Sequence, residues 1–270
     1  MSKLNRNAII SNEQIQKFAP SVFTGNAMPG VSDRYQFVKT IDILDTMRAT
    51  GFEVISATQS TCRADDGRQY AKHAVKLVHT DYLDRSTAVG DVVPQIVLTN
   101  SHNRTSSFRL QAGLYRLICL NGMMTTTADF GSIRVLHNDP DINENIIDGT
   151  NLIREVSESV ALPMVEQMTR INLDSGQVVD FARAASFLKF GEVRDDHAIA
   201  LLHSRRNADD GSSLWSVLNR VQENAIKGGY QARDRANRTV TVRGIKSVDR
   251  DINFNVALWN LAAGVVLQLA

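Results

Sequence analysis

The chain is poor in the residues that announce chemistry. Of its 270 residues only two are cysteine, Cys62 and Cys119, set far apart with no paired spacing. That excludes a disulfide framework and a CxxC zinc site, and it makes a reducing cytoplasm the expected setting. HExxH, GxGxxG and GxxxxGK[ST] are all absent, so the chain encodes no zincin helix and no phosphate-cradling glycine loop of known type. No motif calls for a cofactor or a metal. The opening MSKLNRNAIISNEQ has neither a long apolar run nor a secretory pattern. Low-complexity tracts and internal repeats are missing, which excludes a solenoid and leaves one sizeable core or two closely packed ones. The net charge is only +1, unlike that of many dedicated DNA binders, which are basic overall.

What charge there is lies unevenly. Between Arg220 and Arg250 the cations are Arg220, Lys227, Arg233, Arg235, Arg238, Arg243, Lys246 and Arg250, against Glu223, Asp234 and Asp249. Eight against three leaves +5 here and −4 for the rest of the chain. Such a footprint suits phosphate or an acidic partner. Thr239-Val240-Thr241-Val242-Arg243 alternates like a half-buried strand, so the arginines are expected on a fixed edge. The preceding stretch, SLWSVLNRVQENAIKGG, reads as an amphipathic helix. Ser212 or Ser213 caps it, Leu214, Val217, Leu218, Val221 and Ala225 form the apolar stripe, and Gly228 ends it. Its other side, Asn219, Arg220, Gln222, Glu223 and Asn224, reads either as a ligand surface or as a solvated face. A last apolar helix, Ile252 to Leu269, carries Asn253, Asn255, Asn260 and Gln268 and reads as a core or interface helix, not a membrane span.

Earlier in the chain the pattern is that of a sheet. Residues 1–31 form a mixed arm, either partly flexible or lying on a neighbouring subunit. Ser32 and Asp33 open a helix with Phe37, Val38, Ile41, Leu44 and Met47 at helical spacing, ending at Gly51. Phe52–Ser60 and Gln69–His79 form a hairpin around Asp66-Gly67. On its second strand Tyr70, Lys72, Ala74 and Lys76 share a face on which cations would meet phosphate while a ring stacks on a base; any soluble sheet shows water the same face. Gln95–Thr99, Phe108–Leu120 and Ser132–His137 add strands, with Gly113 as a bulge. From Asp141 the chain turns helical and acidic, with a kink near Pro163, then further helices at Gln177–Lys189 and Asp196–Arg205. The fold class is therefore α+β, with an antiparallel sheet over 32–140 packed with helices. A mostly helical region over 141–270, with a strand-like basic tail, is expected to pack with the sheet as one unit.

Two stretches carry a family likeness. QIVLTNSHNRTSSFRLQAGLYRLICLNGM (Gln95–Met123), and SLWSVLNRVQENAIKGG followed by VTVRGIKSVDRDINFNVALWNLA, resemble the phage- and plasmid-borne family known as domain of unknown function nine-three-two. The resemblance implies a mobile-element setting in a bacterial host, alongside replication, repair and recombination functions. It carries no chemistry of its own.

Three functions follow as expectations. The first is a non-enzymatic DNA-binding protein of a mobile element, forming homo-oligomers and gripping single-stranded DNA for binding or annealing. Lys72, Lys76, Arg104, Arg109, Arg116, Lys227, Arg235, Arg238, Arg243 and Lys246 would contact phosphate, with Tyr70 and Tyr115 as stacking rings. The second is an oligomeric structural or regulatory protein without DNA contact, its basic tail pairing with the acidic helical stretch across subunits. The third is a divergent nuclease or hydrolase using Asn100, His102 and an acidic partner. The competing reading of Asn100-Ser101-His102 is a hydrogen-bonded turn. For zinc, His73 and His79 would need ligands from neighbouring strands. Asp65, Asp66, Asp139 and Asp141 read as turn caps, and Cys119 as an inert core thiol.

Overall fold

The computed structural model describes residues 9–30, 37–62, 65–82, 92–103, 106, 108–116, 121–124, 132–134, 142–205, 207–234 and 236–269. The chain divides into two compact units, Met1–Ala161 and Leu162–Ala270.

The first unit is a meander. Strands β1 (Phe52–Gln59), β2 (His73–His79), β3 (Val92–Asn100), β4 (Arg109–Arg116) and β5 (Asn121–Met124) pair antiparallel in chain order, and β6 (Ser132–Arg134) shares the outer edge of β4 with β5. The hairpin expected around Asp66-Gly67 is present, its connection wound into a 3-10 turn, Asp65–Tyr70. Its irregularity falls between Val54 and Ser56. Gly113, read from sequence as a bulge, instead sits in regular register between Gln95 and Met124. Asn121 and Gly122 open β5.

Because side chains alternate along a strand, the register puts Val54, Val75, Leu77, Ile96, Leu98, Leu110 and Ala112 on one face. That face is the core, closed by Ile43, Leu44 and Met47 of α2 (Thr40–Ala49) and by Ile146 and Ile153 of α3 (Ile142–Val156). The N-terminal arm is not loose over its described part. Ser11 and Gln14 form a capping box that starts α1 (Asn12–Phe18), and Ile15, Ala19 and Val22 are fully buried in this core. The end of α3 runs into a π turn, Ser157–Ala161, just before Pro163, whose missing N–H breaks the regular ladder.

A buried hydrogen-bond chain ties α2 and the arm to the sheet. The amide of Asn100 donates to Thr40 Oγ1 (3.0 Å), which donates to His73 Nε2 (2.9 Å). On the ring's other side Nδ1 donates to Ser21 Oγ (2.8 Å) and the Ala71 carbonyl (3.1 Å), and Ser21 Oγ donates to Gln59 Oε1 (2.9 Å). The network itself assigns this tautomer. Burial, with His102 beside it, pushes His73 down to about 3, so the ring is neutral.

The second unit is built around α7 (Leu214–Lys227), capped by Ser213. Helices α4 (Leu162–Arg170), α5 (Ser175–Phe190), α6 (Asp195–Leu201) and α8 (Val248–Leu269) all pack on it. Its amide-rich side is neither solvated nor a ligand surface: Asn219, Gln222, Glu223 and Asn224 are each about as buried as the apolar stripe. Each amide has an internal partner. Asn219 donates to the Trp215 carbonyl (2.7 Å), Gln222 to Asn255 Oδ1 (2.8 Å), and Asn224 to the carbonyls of Leu201 (2.9 Å) and His203 (2.7 Å). Buried amides satisfied in this way fix neighbouring elements in register. By length and composition α8 could cross a membrane; here its Phe254, Leu258, Trp259, Ala262 and Val266 are buried in the unit.

Candidate nucleic-acid interface

The basic stretch is a two-stranded antiparallel ribbon, β7 (Gly228–Arg233) with β8 (Thr239–Arg243). It begins where α7 stops. Gly228 has φ +64°, and a Cβ there would lie 2.2 Å from the Gly244 nitrogen. A Cβ on Gly244 would lie 2.2 Å from the Ile226 carbonyl oxygen. The two backbones cross so closely that only paired glycines fit, and Ile245 N–H donates to the Ile226 carbonyl (3.0 Å) to close the crossing. The guanidinium of Arg205 braces it, donating to Asn224 Oδ1 (2.7 Å) and to the Gly228 carbonyl.

The far end is equally fixed. Asn237 takes the left-handed conformation (φ 60°), and Asp234 accepts from the backbone N–H groups of Ala236 (2.8 Å) and Arg238 (2.9 Å). Arg238 also pairs with Asp234 through its guanidinium at 2.7 Å. These bonds, the side chain's first, hold the Asp234 carboxyl below the usual carboxylate range.

Alternation then sorts the ribbon's side chains. Tyr230, Ala232 and Val242 are buried, whereas Gln231, Arg233, Thr239, Thr241 and Arg243 are exposed. Helix α6 pins the edge: Arg233 N–H donates to Asp196 Oδ2 (2.6 Å), and the Arg233 carbonyl accepts from His197 (3.2 Å) and Arg194. The outward strand residues therefore combine two arginines with hydroxyl and amide groups and no carboxylate. Such a ribbon can lie along a phosphate backbone or in a duplex groove.

The expected site residues divide between the units. In the second, Arg243 and Lys246 are exposed and make no ion pair among the described residues. Arg238 is exposed but shared with Asp234, and Lys227 is held by buried Glu223 at 2.7 Å. Arg233 was absent from the expected set although Gly-Gly-Tyr-Gln-Ala-Arg alternates as strand; its guanidinium reaches Asn237 (3.1 Å). In the first unit, Tyr70 lies half-buried in the 3-10 turn, Lys72 and Lys76 are half-buried, and Arg109 is exposed. The sheet face of Lys76 is not the open platform that alternation suggested: Ala74, Val78, Val97, Thr99 and Gln111 on it are buried. Ile9 and Tyr82 pack with Val78 and Val93 there. Tyr115 and Arg116 end β4; Arg104 and Arg235 lie outside the described residues, as do Cys119, Asp139 and Asp141.

The residues considered for hydrolysis are buried. Asn100, Ser101 and His102 are each 0% exposed, and Asn100 belongs to the His73 chain. Phe37 packs on the His102 ring at 4.8 Å. Asn100 Oδ1 accepts from Ser101 N–H (2.8 Å) and Ser101 Oγ from Ser106 N–H (2.8 Å), the bonds of a turn. His73 and His79 stand at opposite ends of β2. His79 Nε2 donates to the Thr50 carbonyl (3.1 Å), while Nδ1 accepts from Asp81 N–H (3.1 Å). Among the described residues no three His, Cys, Asp or Glu side chains converge on a metal position. A polar cluster the sequence did not reveal follows β2: Arg154 pairs with Asp81 (3.1 Å) and Glu158 (3.5 Å), and the Tyr82 hydroxyl donates to Glu158. Its members meet from distant segments, so no local motif marks it.

The amino-acid sequence is similar to that of known proteins. The family described as Domain of unknown function (DUF932) matches residues 27–259. Two Escherichia coli (strain K12) proteins are similar along nearly the whole chain. UPF0380 protein YafZ is 30% identical over 280 residues, covering 98% of this chain and 95% of its own. UPF0380 protein YfjQ is 31% identical over 270 residues, with the same coverage. No solved structure matches. With the ribbon, its crossing glycines and the sheet strand β3 all inside the matched region, the chain belongs to the DUF932 family.

Proposed function

We propose that the protein is a non-enzymatic DNA-binding protein of a mobile genetic element, and that it grips DNA through the outward face of the β7–β8 ribbon. One observation carries this reading. The stretch of highest net charge in a nearly neutral chain, Arg220 to Arg250 at +5, contains a ribbon whose outward strand residues, Gln231, Arg233, Thr239, Thr241 and Arg243, include no carboxylate. Lys246 extends the charge beyond the strand. The ribbon's own ring, Tyr230, faces inward and is 8% exposed, so contact is phosphate-led and does not depend on base stacking. Single-stranded DNA, bound or annealed during recombination or replication, remains the favoured form on the family setting.

The test is fluorescence anisotropy with single- and double-stranded oligonucleotides at low salt. Arg243→Glu with Lys246→Glu should weaken binding at least tenfold while leaving the circular dichroism spectrum and urea midpoint unchanged. Unchanged affinity in that double variant removes the ribbon from the interface.

A second reading, an oligomer without DNA contact, has its own support. Phe187 (54% exposed), Ile199 (62%) and Leu267 (80%) show large apolar side chains to solvent on the second unit, as association surfaces do. Light scattering separates the two: an oligomer that forms without DNA, in a protein that shifts no oligonucleotide, favours it.

A further inference from the structure

Beside the ribbon, the second unit has a pocket of about 280 Å³, open to solvent and lined by Lys189, Ile245, Arg250, Asn253 and Phe254 among others. Two cations meet there. Lys189 is 7% exposed, in the last turn of α5. Its ammonium lies 5.1 Å from the Phe190 ring centre, 5.2 Å from that of Tyr230, and 3.5 Å from the Tyr230 hydroxyl. Arg250, from the first turn of α8, donates to the Lys189 carbonyl (3.3 Å) and makes no other hydrogen bond or ion pair among the described residues. No carboxylate among the described residues pairs with either group.

Buried charges are ordinarily paired. Here a nine-tenths-buried ammonium is neighboured by a second cation instead, and burial followed by Arg250 pushes Lys189 down to about 8. Aromatic faces offset part of the desolvation but give the buried ammonium no oxyanion, while Arg250 and Asn253 are exposed and present their donors at the mouth of the same pocket. Three donor side chains around a cavity of this size match the demands of a tetrahedral oxyanion, since Arg supplies a planar fork and Lys a point charge.

We propose that this cavity is a phosphate-binding site, with Lys189, Arg250 and Asn253 as its donors. The phosphate group can come from a DNA backbone or from a free phosphate-bearing small molecule. Ile245, which lines the cavity, sits between Arg243 and Lys246 in sequence, so a backbone phosphate reaching it would extend the ribbon's contacts. The site stands on its own geometry: the ribbon variants test DNA binding, and the cavity variants test this.

The experiment is a thermal-unfolding titration of the full chain with inorganic phosphate from 0 to 20 mM at constant ionic strength, with sulfate-free chloride as the control. Wild type should rise by about 2 °C or more, as expected for millimolar binding to the native state, whereas Lys189→Met and Arg250→Gln should each lose most of that rise. NMR of lysines labelled with ¹³C should show the Lys189 titration near pH 8 moving upward on adding phosphate. An oligonucleotide that abolishes the phosphate-specific rise identifies backbone phosphate as the source; one that leaves it intact identifies a small ligand. No rise in wild type, or an equal rise in both variants, overturns the proposal.

Discussion

Replacing Lys189 should stabilise the unliganded protein, an unusual direction for a buried residue. In the fold its ammonium titrates at about 8, against 10.5 in the unfolded chain. Between those values the unfolded chain binds the extra proton, so stability from this group is present in full above about pH 10.5. It is lost as pH falls through 8. At pH 7 the charged form therefore costs up to about 3 kcal/mol of folding free energy, less where solvent screens it, and at pH 9.5 about half of that. Lys189→Met keeps most of the volume, removes the charge and gives up a cation–π contact of about 1 kcal/mol. The expected net gain is up to about 2 kcal/mol at pH 7, shrinking as pH rises to 9.5. Urea unfolding of both proteins at the two pH values, in buffers free of phosphate, reads this directly. A variant less stable than wild type at pH 7, or a difference that does not change with pH, would refute the reasoning. Restoring millimolar phosphate should narrow the gap, because the wild-type ammonium then has an anion.

Three other perturbations test separate joints of the fold. Gly228→Ala places a Cβ 2.2 Å from the Gly244 nitrogen at positive φ, so it should cost more than about 3 kcal/mol in urea unfolding. Gly229→Ala, at φ +84° with nothing within 4 Å, should cost only about 1 kcal/mol; equal costs would contradict the crossing. His73 titrates at about 3 in the fold and near 6.5 unfolded. Its contribution is thus complete above pH 6.5 and falls by roughly 4 kcal/mol as pH drops towards 3. His73→Phe should lower stability at pH 7 by about 2–4 kcal/mol through orphaned Ser21 and Thr40 and should flatten that acid dependence, as read by denaturation at pH 7, 5 and 4.

Much of this fold could be read along the chain because its signals are local. Asp66-Gly67 marked the hairpin, Leu214 to Ala225 marked α7, and Thr239 to Arg243 marked a strand in what composition alone would describe as a basic tail. The failures share a different cause. Asn219, Gln222, Glu223 and Asn224 look like a wet helix face, but all four are buried, and Asn255, Leu201 and His203 from other elements supply the partners of Gln222 and Asn224. Lys76 alternates as an outward residue, yet Ile9 and Tyr82 help cover its face of the sheet. The arm looked loose because Ile15, Ala19 and Val22 are too few to mark a buried face locally, and the core that buries them is built from other segments. Gly228 and Gly244 each read as ordinary turn residues, and their necessity appears only when the two backbones cross. At the interface, Arg243 and Lys246 were visible in sequence. Pairing removes Lys227 from the free charge, and burial makes Lys189 exceptional; neither property is encoded by the residue type alone.

The most direct test of the account is the salt dependence of DNA binding by the wild-type protein. With about three to four ribbon cations neutralising phosphate, Arg233, Arg243, Lys246 and part of Arg238, a plot of log affinity against log salt should have a slope of about −2 to −4. Arg243→Glu with Lys246→Glu should bring that slope towards about −1. A wild-type slope near zero, or no binding at low salt, would contradict the claim that this ribbon grips DNA.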